Sequence, residues 1–177
     1  MEQFETQRLR LRPWRKEDLE DFHRYCKDPE VGPNAGWKPH ESRRETLEIL
    51  RTLFIGQPGM FGIVWRASGR RIGEIGLTGD AKREYPAARM LGYAIREEFW
   101  NRGIVTEATR AVVDYGFRQL GLALISAYCY PDNHASRRVL EKCGFHYEGT
   151  LALCEQRYDG AVLDNECYSL GAAEWSH

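Results

Sequence analysis

The apolar positions of this chain change period several times, and each change marks an expected element. From Phe4 to Arg12, charged and apolar residues alternate around Leu9 and Leu11, the pattern of a half-buried first strand that Pro13 ends. From Lys16 to Lys27, Leu19, Phe22, His23 and Cys26 share one face of a helix that Asp28-Pro29 stops. Val31 to His40 carries Gly32, Pro33, Asn34, Gly36 and Pro39, so it reads as a loop, with Trp37 in it. Ser42-Arg-Arg-Glu45 is a capping-box pattern, in which the Ser hydroxyl accepts from the backbone three residues on and the Glu carboxylate reaches back. It opens a second helix with Leu47, Leu50, Leu53 and Phe54 along one face.

Strand formers then dominate. Met60–Trp65 and Arg71–Leu77, joined through Ala67-Ser-Gly69, predict a hairpin, and Met90–Ile95 predicts the next strand. Across Trp100-Asn-Arg-Gly-Ile-Val-Thr-Glu-Ala108 the strand pattern becomes helical, with Val105, Ala108, Val112 and Tyr115 inward as far as Leu120-Gly121. Leu122–Tyr128 predicts a buried strand. Pro131-Asp-Asn133 precedes a helix with Ala135, Val139, Leu140 and Cys143 inward, and Gly144 ends it. Phe145–Thr150 and Val162–Leu170 predict two last strands flanking a polar segment with Tyr158-Asp-Gly160. The order β-α-α-β-β-β-α-β-α-β-β predicts an α/β fold with a mixed sheet. The 177 residues, without repeat or linker, fit a single domain over residues 1–177.

Composition narrows the classes of function. Hydrophobic residues at 42% and charged residues at 29% are ordinary globular proportions, against disorder or coiled coil. A net charge of −1 argues against a nucleic-acid binder with a broad basic surface but leaves room for a local basic pocket. No apolar run approaches the roughly 20 residues that cross a bilayer. The start of the chain lacks the basic and apolar regions of a signal peptide. Five cysteines, Cys26, Cys129, Cys143, Cys154 and Cys167, form no CxxC pair and sit among apolar neighbours. His134 and His146 have no ligand-like spacing. The expectation is a reduced, cytoplasmic protein without metal, nucleic-acid or membrane partner. Gly73, Gly76 and Gly79 do not have dinucleotide-fold spacing, and no helix follows them. The Arg102-Gly103 turn before a helix is a different matter. Free N–H groups and the positive end of the helix dipole there favour an anion, although many α/β proteins use such a join only as a turn.

The ordered motifs resemble the GNAT superfamily of acyl-CoA-dependent N-acetyltransferases, in particular its RimJ/RimL-like branch, named for acetylation of ribosomal-protein N-termini. They are Arg8-Leu-Arg-Leu-Arg-Pro13, Ile72-Gly-Glu-Ile-Gly-Leu77, Leu91-Gly-Tyr93, Trp100-Asn-Arg-Gly103 with Thr106-Glu-Ala108, Asn133-His-Ala-Ser136, Glu141-Lys-Cys-Gly-Phe145 and Tyr147-Glu-Gly149. The resemblance implies a mostly antiparallel mixed sheet with flanking helices and a splayed central strand pair. It implies acetyl-CoA as cosubstrate and an amine acceptor, a protein N-terminus or a small amine, and it allows a homodimer. A non-catalytic acyl-CoA-binding module is the remaining alternative. In the family's Q/R-x-x-G-x-G/A loop, Trp100 here takes the first position and Val105 the last. N–H groups of Arg102, Gly103, Ile104, Val105 and Thr106 would hold the pyrophosphate. Backbone groups of Tyr93, Ala94 and Ile95 would pair with the pantetheine arm, one N–H polarising the thioester carbonyl.

The resemblance also suggests roles for side chains. Many relatives carry a Tyr seven residues after the Asn, where this chain has Leu140, so Ser136 becomes the partner of the leaving thiolate, with Asn133 on the cofactor. Asn133 and Ser136 also fit a plain helix start. Glu155 matches the RimL-like base, and Glu74, in a strand bounded by glycines, is the second candidate. Trp37, Glu74 and Tyr158 are candidate acceptor contacts. Arg137 could reach the 3′-phosphate of CoA or simply lie on an exposed helix face. The acceptor's basicity matters too. An α-amine of pKa about 8 costs about 1 kcal/mol to deprotonate at neutral pH, against about 4–5 kcal/mol for Lys, so one carboxylate suits the α-amine better.

Overall fold

A computed structural model describes residues 3–176. Its elements are β1 (Phe4–Glu5), β2 (Leu9–Arg12), α1 (Leu19–Cys26), α2 (Arg43–Ile49), β3 (Met60–Trp65), β4 (Arg71–Gly79), β5 (Ala88–Ile95), α3 (Ile104–Arg118), β6 (Leu124–Cys129), α4 (His134–Lys142), β7 (His146–Gln156) and β8 (Val162–Gly171). The strands form one mixed, mostly antiparallel sheet in the order β1-β2-β3-β4-β5-β6-β8-β7. No helix among the described residues is long and apolar enough to cross a membrane.

The first strand expected over Phe4–Arg12 is in fact a tight hairpin, with Phe4 opposite Leu11 and Glu5 opposite Arg10. Thr6 closes it: its backbone N–H donates to Leu9 O at 2.9 Å, and its hydroxyl accepts from Leu9 N at 3.1 Å. Ser42 caps α2 by accepting from Glu45 N, but the Glu45 carboxylate accepts from Glu41 N rather than closing the reciprocal box. Past Ile49 the helix widens into a π-helical turn over Leu50–Phe54. Thr46, Leu50 and Phe54 point inward, and Leu53, expected on the buried face, is 60% exposed. The extra residue per turn in a π segment rotates Leu53 off the stripe.

The chain divides into two compact units, one of residues up to Ile75 with Tyr93–Ile104, the other of Gly76–Gly92 with the chain from Val105 onward. In the first, Trp14, Phe22, Tyr25, Cys26, Val31, Leu50, Phe54 and Ala94 form an apolar cluster. Trp14, Phe22 and Phe54 meet edge to face at 4.9–5.5 Å between centroids, the favourable arrangement for aromatic quadrupoles. Beside them lies a buried cation, Arg71, whose guanidinium is 2.7 Å from Asp18 and 4.3 Å from the Trp14 ring centroid. In the second unit, Ala108, Val112 and Val113 of α3 are fully buried, while Val105 and Tyr115 of the expected stripe are half-buried. β5 runs parallel to β6, from Ala88 opposite Leu124 to Leu91 opposite Ala127. The register goes no further, although β5 continues to Ile95 and β6 to Cys129, where Cys129 pairs with Glu166 of β8.

Candidate active site

The turn into α3 is built by backbone conformation. Asn101 (φ 57°) and Gly103 (φ 70°) both adopt the left-handed region, which glycine reaches without strain and Asn tolerates. Ile104, buried to 1% exposure, anchors the first helical residue, while Val105 and Thr106 are half-buried at the helix start. The first N–H groups of a helix have no acceptor within it. Two side chains brace this turn. Arg8 Nη1 donates to Arg102 O at 2.9 Å, and the Trp100 indole N–H donates to Ile95 O at 2.9 Å. Upstream, β4 has glycine where β5 crosses it: a Cβ on Gly73 would lie 2.3 Å from Ala94 O and 2.8 Å from Ile95 Cα.

Glu74 follows Gly73 and is buried. Tyr25 OH donates to its Oε2 at 2.8 Å. Burial raises the Glu74 carboxyl to about 7, and the Tyr25 hydrogen bond pulls the other way. Tyr25 also lines a cavity of about 350 Å³ with Arg24, Asp28, Arg96, Glu97 and Glu98. Trp37 is half-buried against the aromatic cluster, its ring packed beside Gly32, and its indole N–H has no acceptor among the described residues. Packing thus accounts for the Trp37 ring.

In the second unit, Asn133 caps α4, its Oδ1 accepting from Ser136 N at 3.1 Å. Arg137 is engaged by Glu166, with Nε 3.1 Å and Nη2 2.5 Å from its two oxygens. Glu155 lies not in a polar loop but in β7, which runs to Gln156, well past the expected end at Thr150. Between Leu151, opposite Asn165, and Glu155, opposite Leu163, four steps on β7 face two on β8. Leu153 in this bulge has φ 49°, a strained conformation for a large side chain, and its N–H donates to Asp164 Oδ1 at 2.8 Å. Two donors meet the Glu155 carboxylate: Tyr130 OH on Oε1 at 2.6 Å and Asn165 Nδ2 on Oε2 at 3.2 Å. Tyr130 O in turn accepts from Asn133 N at 2.9 Å, so one four-residue turn connects the α4 cap to the Glu155 site. Tyr158 is 47% exposed, with the Arg157 guanidinium 5.9 Å from its ring centroid.

Residues 8–146 match the family model for the acetyltransferase (GNAT) domain. The chain belongs to the GNAT acetyltransferase family. It is 34% identical over 170 residues to the uncharacterized N-acetyltransferase YoaA of Bacillus subtilis, covering 94% of each chain. It is 29% identical to the uncharacterized N-acetyltransferase p20 of Bacillus licheniformis, covering 99% of each. The crystal structure of a GNAT-family acetyltransferase from Bacillus anthracis superposes with a TM-score of 0.86 at 24% identity, over 98% of this chain and 100% of that one, which speaks for the fold.

GNAT enzymes are N-acetyltransferases that use acetyl-CoA, and the residues here suit such a group. The left-handed turn at Asn101 and Gly103 opens onto a helix start, as an anion needs, and β5 outruns its ladder with β6. The Arg137 guanidinium is the misfit, already bound to a carboxylate. Sequence reasoning passed over Tyr130, Asn165, Lys82, Trp100 and Arg8 as site residues. Asn165 stands among the polar residues Asp164 and Glu166, so its burial to 3% exposure was not marked in the sequence, and Tyr130 and Lys82 carried no signal either. Among the cysteines, Cys26, Cys129, Cys143 and Cys167 are buried, and Cys154, expected inside, is exposed. Burial pushes the Cys129 and Cys143 thiols up to about 11, far from thiolate nucleophiles at neutral pH.

Proposed function

We propose that this chain transfers the acetyl group of acetyl-CoA to the α-amine of a protein or peptide N-terminus, by direct attack in a ternary complex, as a member of the RimJ/RimL-like branch. A relative, the FsC-acetyl coenzyme A-N(2)-transacetylase of Aspergillus fumigatus, 28% identical over 96% of this chain and 76% of its own, names acetyl coenzyme A as its donor. The observation that carries the acceptor assignment is the Glu155 carboxylate, half-buried and held by two donors. Such a carboxylate is fixed by its donors and open on its remaining lone pairs, the geometry of a group that can accept a proton from one amine.

Acetyl-CoA supplies the acetyl group as an activated thioester. The N–H groups from Arg102 to Thr106 bind the pyrophosphate, with the Arg102 side chain and Thr106 hydroxyl beside them. Backbone groups of Tyr93, Ala94 and Ile95 hold the pantetheine arm, and one N–H there stabilises the developing oxyanion. Asn133, whose Oδ1 is used by the helix cap, offers its amide N–H to the cofactor. Glu155 takes a proton from the acceptor amine, directly or through one water, and the Ser136 hydroxyl donates a hydrogen bond to the departing thiolate, whose pKa of about 8.5 lets it leave without full protonation. Tyr158, exposed beyond β7, borders the acceptor. We leave Arg137 out of this set because Glu166 already holds it. The high-lying thiols of Cys129 and Cys143 favour direct attack over a covalent intermediate.

A free-thiol assay with acetyl-CoA tests this against peptides with open and with blocked N-termini. Turnover of open peptides only, falling about a hundredfold or more in Glu155→Gln, is expected. Thiol release with small amines but no peptide would remove the acceptor assignment, and no release with any amine would remove the activity. One observation favours a second reading, a cationic small amine as acceptor. The cavity, where the carboxylates of Asp28, Glu97 and Glu98 outnumber the guanidinium groups of Arg24 and Arg96, shares Tyr25 with Glu74, whose carboxyl near 7 has the basicity of a general base. In that case Glu74→Gln, not Glu155→Gln, abolishes turnover of spermidine.

A further inference from the structure

The geometry points to Tyr130, Asn165 and Lys82 as the residues that aim the Glu155 carboxylate, the first two by direct hydrogen bonds and the third by fixing the Asn165 amide. The inference rests on Glu155 as the base. Tyr130 OH stands 2.6 Å from Oε1 and Asn165 Nδ2 3.2 Å from Oε2, so each oxygen has one protein donor and keeps a second lone pair for a substrate proton. A side-chain amide can be turned either way, but here its orientation is determined. Lys82 Nζ lies 3.4 Å from Asn165 Oδ1. An ammonium only donates and a carboxylate only accepts, so just one orientation of Asn165 satisfies both neighbours.

Lys82 is itself located, its Nζ 4.0 Å from the Tyr128 ring centroid. The Tyr128 hydroxyl donates to Asp80 Oδ2 at 2.8 Å, and the Ser126 hydroxyl donates to the same oxygen at 2.5 Å. A chain of polar contacts therefore runs from buried Asp80 through Tyr128, Lys82 and Asn165 to Glu155. From the other side, the bulge at Leu153, tied to Asp164, sets where β7 presents Glu155. Arg157 and Asp159 follow Glu155 in the chain, and the Asp164 carboxylate stands in the same bulge. Arg157 and Asp159 pair with each other at 2.6 Å and act on Tyr130 with opposite signs.

The test uses Tyr130→Phe, Asn165→Ala and Lys82→Met beside Glu155→Gln, assayed for kcat and KM with an amine the wild type accepts. Loss of either direct donor is expected to lower kcat about tenfold, the rate equivalent of one hydrogen bond to a charged group, with KM for acetyl-CoA unchanged. A loss confined to kcat marks a group acting on the chemical step, which a merely misfolded variant would not give. Lys82→Met gives a smaller loss in the same direction, and Lys82→Arg restores it. If Asn165→Ala fails to fold, Tyr130→Phe, which deletes one oxygen, and the exposed Lys82→Met carry the test. An unchanged kcat in both, with Glu155→Gln inactive, overturns the inference. Wild-type turnover by Glu155→Gln removes the base assignment instead, and this inference with it.

Discussion

At the scale of single residues, Trp100 and Glu74 lead to the sharpest expectations. Trp100 stands at the first loop position of the family motif and holds Ile95 O through its indole N–H, linking the end of β5 to the turn before α3. Trp100→Phe keeps a ring and deletes the donor. KM for acetyl-CoA should rise about fivefold to tenfold in steady-state assays, with kcat nearly unchanged. Glu74 makes a pH prediction. Its carboxyl lies at about 7 in the folded chain against 4.5 as the ordinary value, so the folded state holds the proton more tightly than the unfolded one. Its contribution to stability is full below about 4.5 and is lost as pH rises through about 7, on the order of 3 kcal/mol for a fully buried group. Urea titrations at pH 5 and pH 8 should show this difference in the wild type and lose most of it in Glu74→Gln. Glu74 was legible in the sequence as a strand carboxylate between glycines. Its partner Tyr25 is 49 residues away on α1, and no local pattern joins them.

At the scale of elements, β5 and β7 behave differently from what their patterns alone suggest. β5 closes over β4 at Gly73, where a methyl group would meet Ala94 O at 2.3 Å. Gly73→Ala should shift the end of β5, costing about 1–3 kcal/mol in stability and at least about tenfold in acetyl-CoA affinity by calorimetry. Gly79→Ala on the same strand, with nothing within 4 Å of the added carbon, is the control and should leave both unchanged. β7 was read short because nearly all of its side chains are exposed, so no apolar alternation marks its second half. The β8 ladder holds it there instead, and the same ladder carries the bulge that positions Glu155. The α2 stripe failed for a related reason: a π-helical turn changes the period that the helical pattern assumes.

At the scale of the whole molecule, ligand linkage gives one measurement. A ligand that binds only the folded chain stabilises it by about 2.7 kcal/mol at a hundred times its Kd, which raises Tm by about 5–10 °C for a chain of this size. Acetyl-CoA should do so in thermal unfolding, and desulfo-CoA, which retains the pyrophosphate, should give most of the same shift. No shift with either would remove the cofactor site. The Gly103 turn should matter here as well, since Gly103→Val forces a β-branched residue into the left-handed region at φ 70° and should abolish the shift.

The sequence by itself determined the α/β class, the family and, past the first hairpin, the order of elements, because these are written in periods and in short contiguous motifs. Asn133 with Ser136 at the start of α4 was legible for the same reason, since a helix cap is a local event. Only the tertiary structure decided what surrounds the candidate base. Tyr130 and Asn165 reach Glu155 from 25 and 10 residues away, and Lys82 reaches Asn165 from 83. Those contacts come from strand register and one bulge, which depend on how the whole sheet pairs rather than on any single stretch of chain.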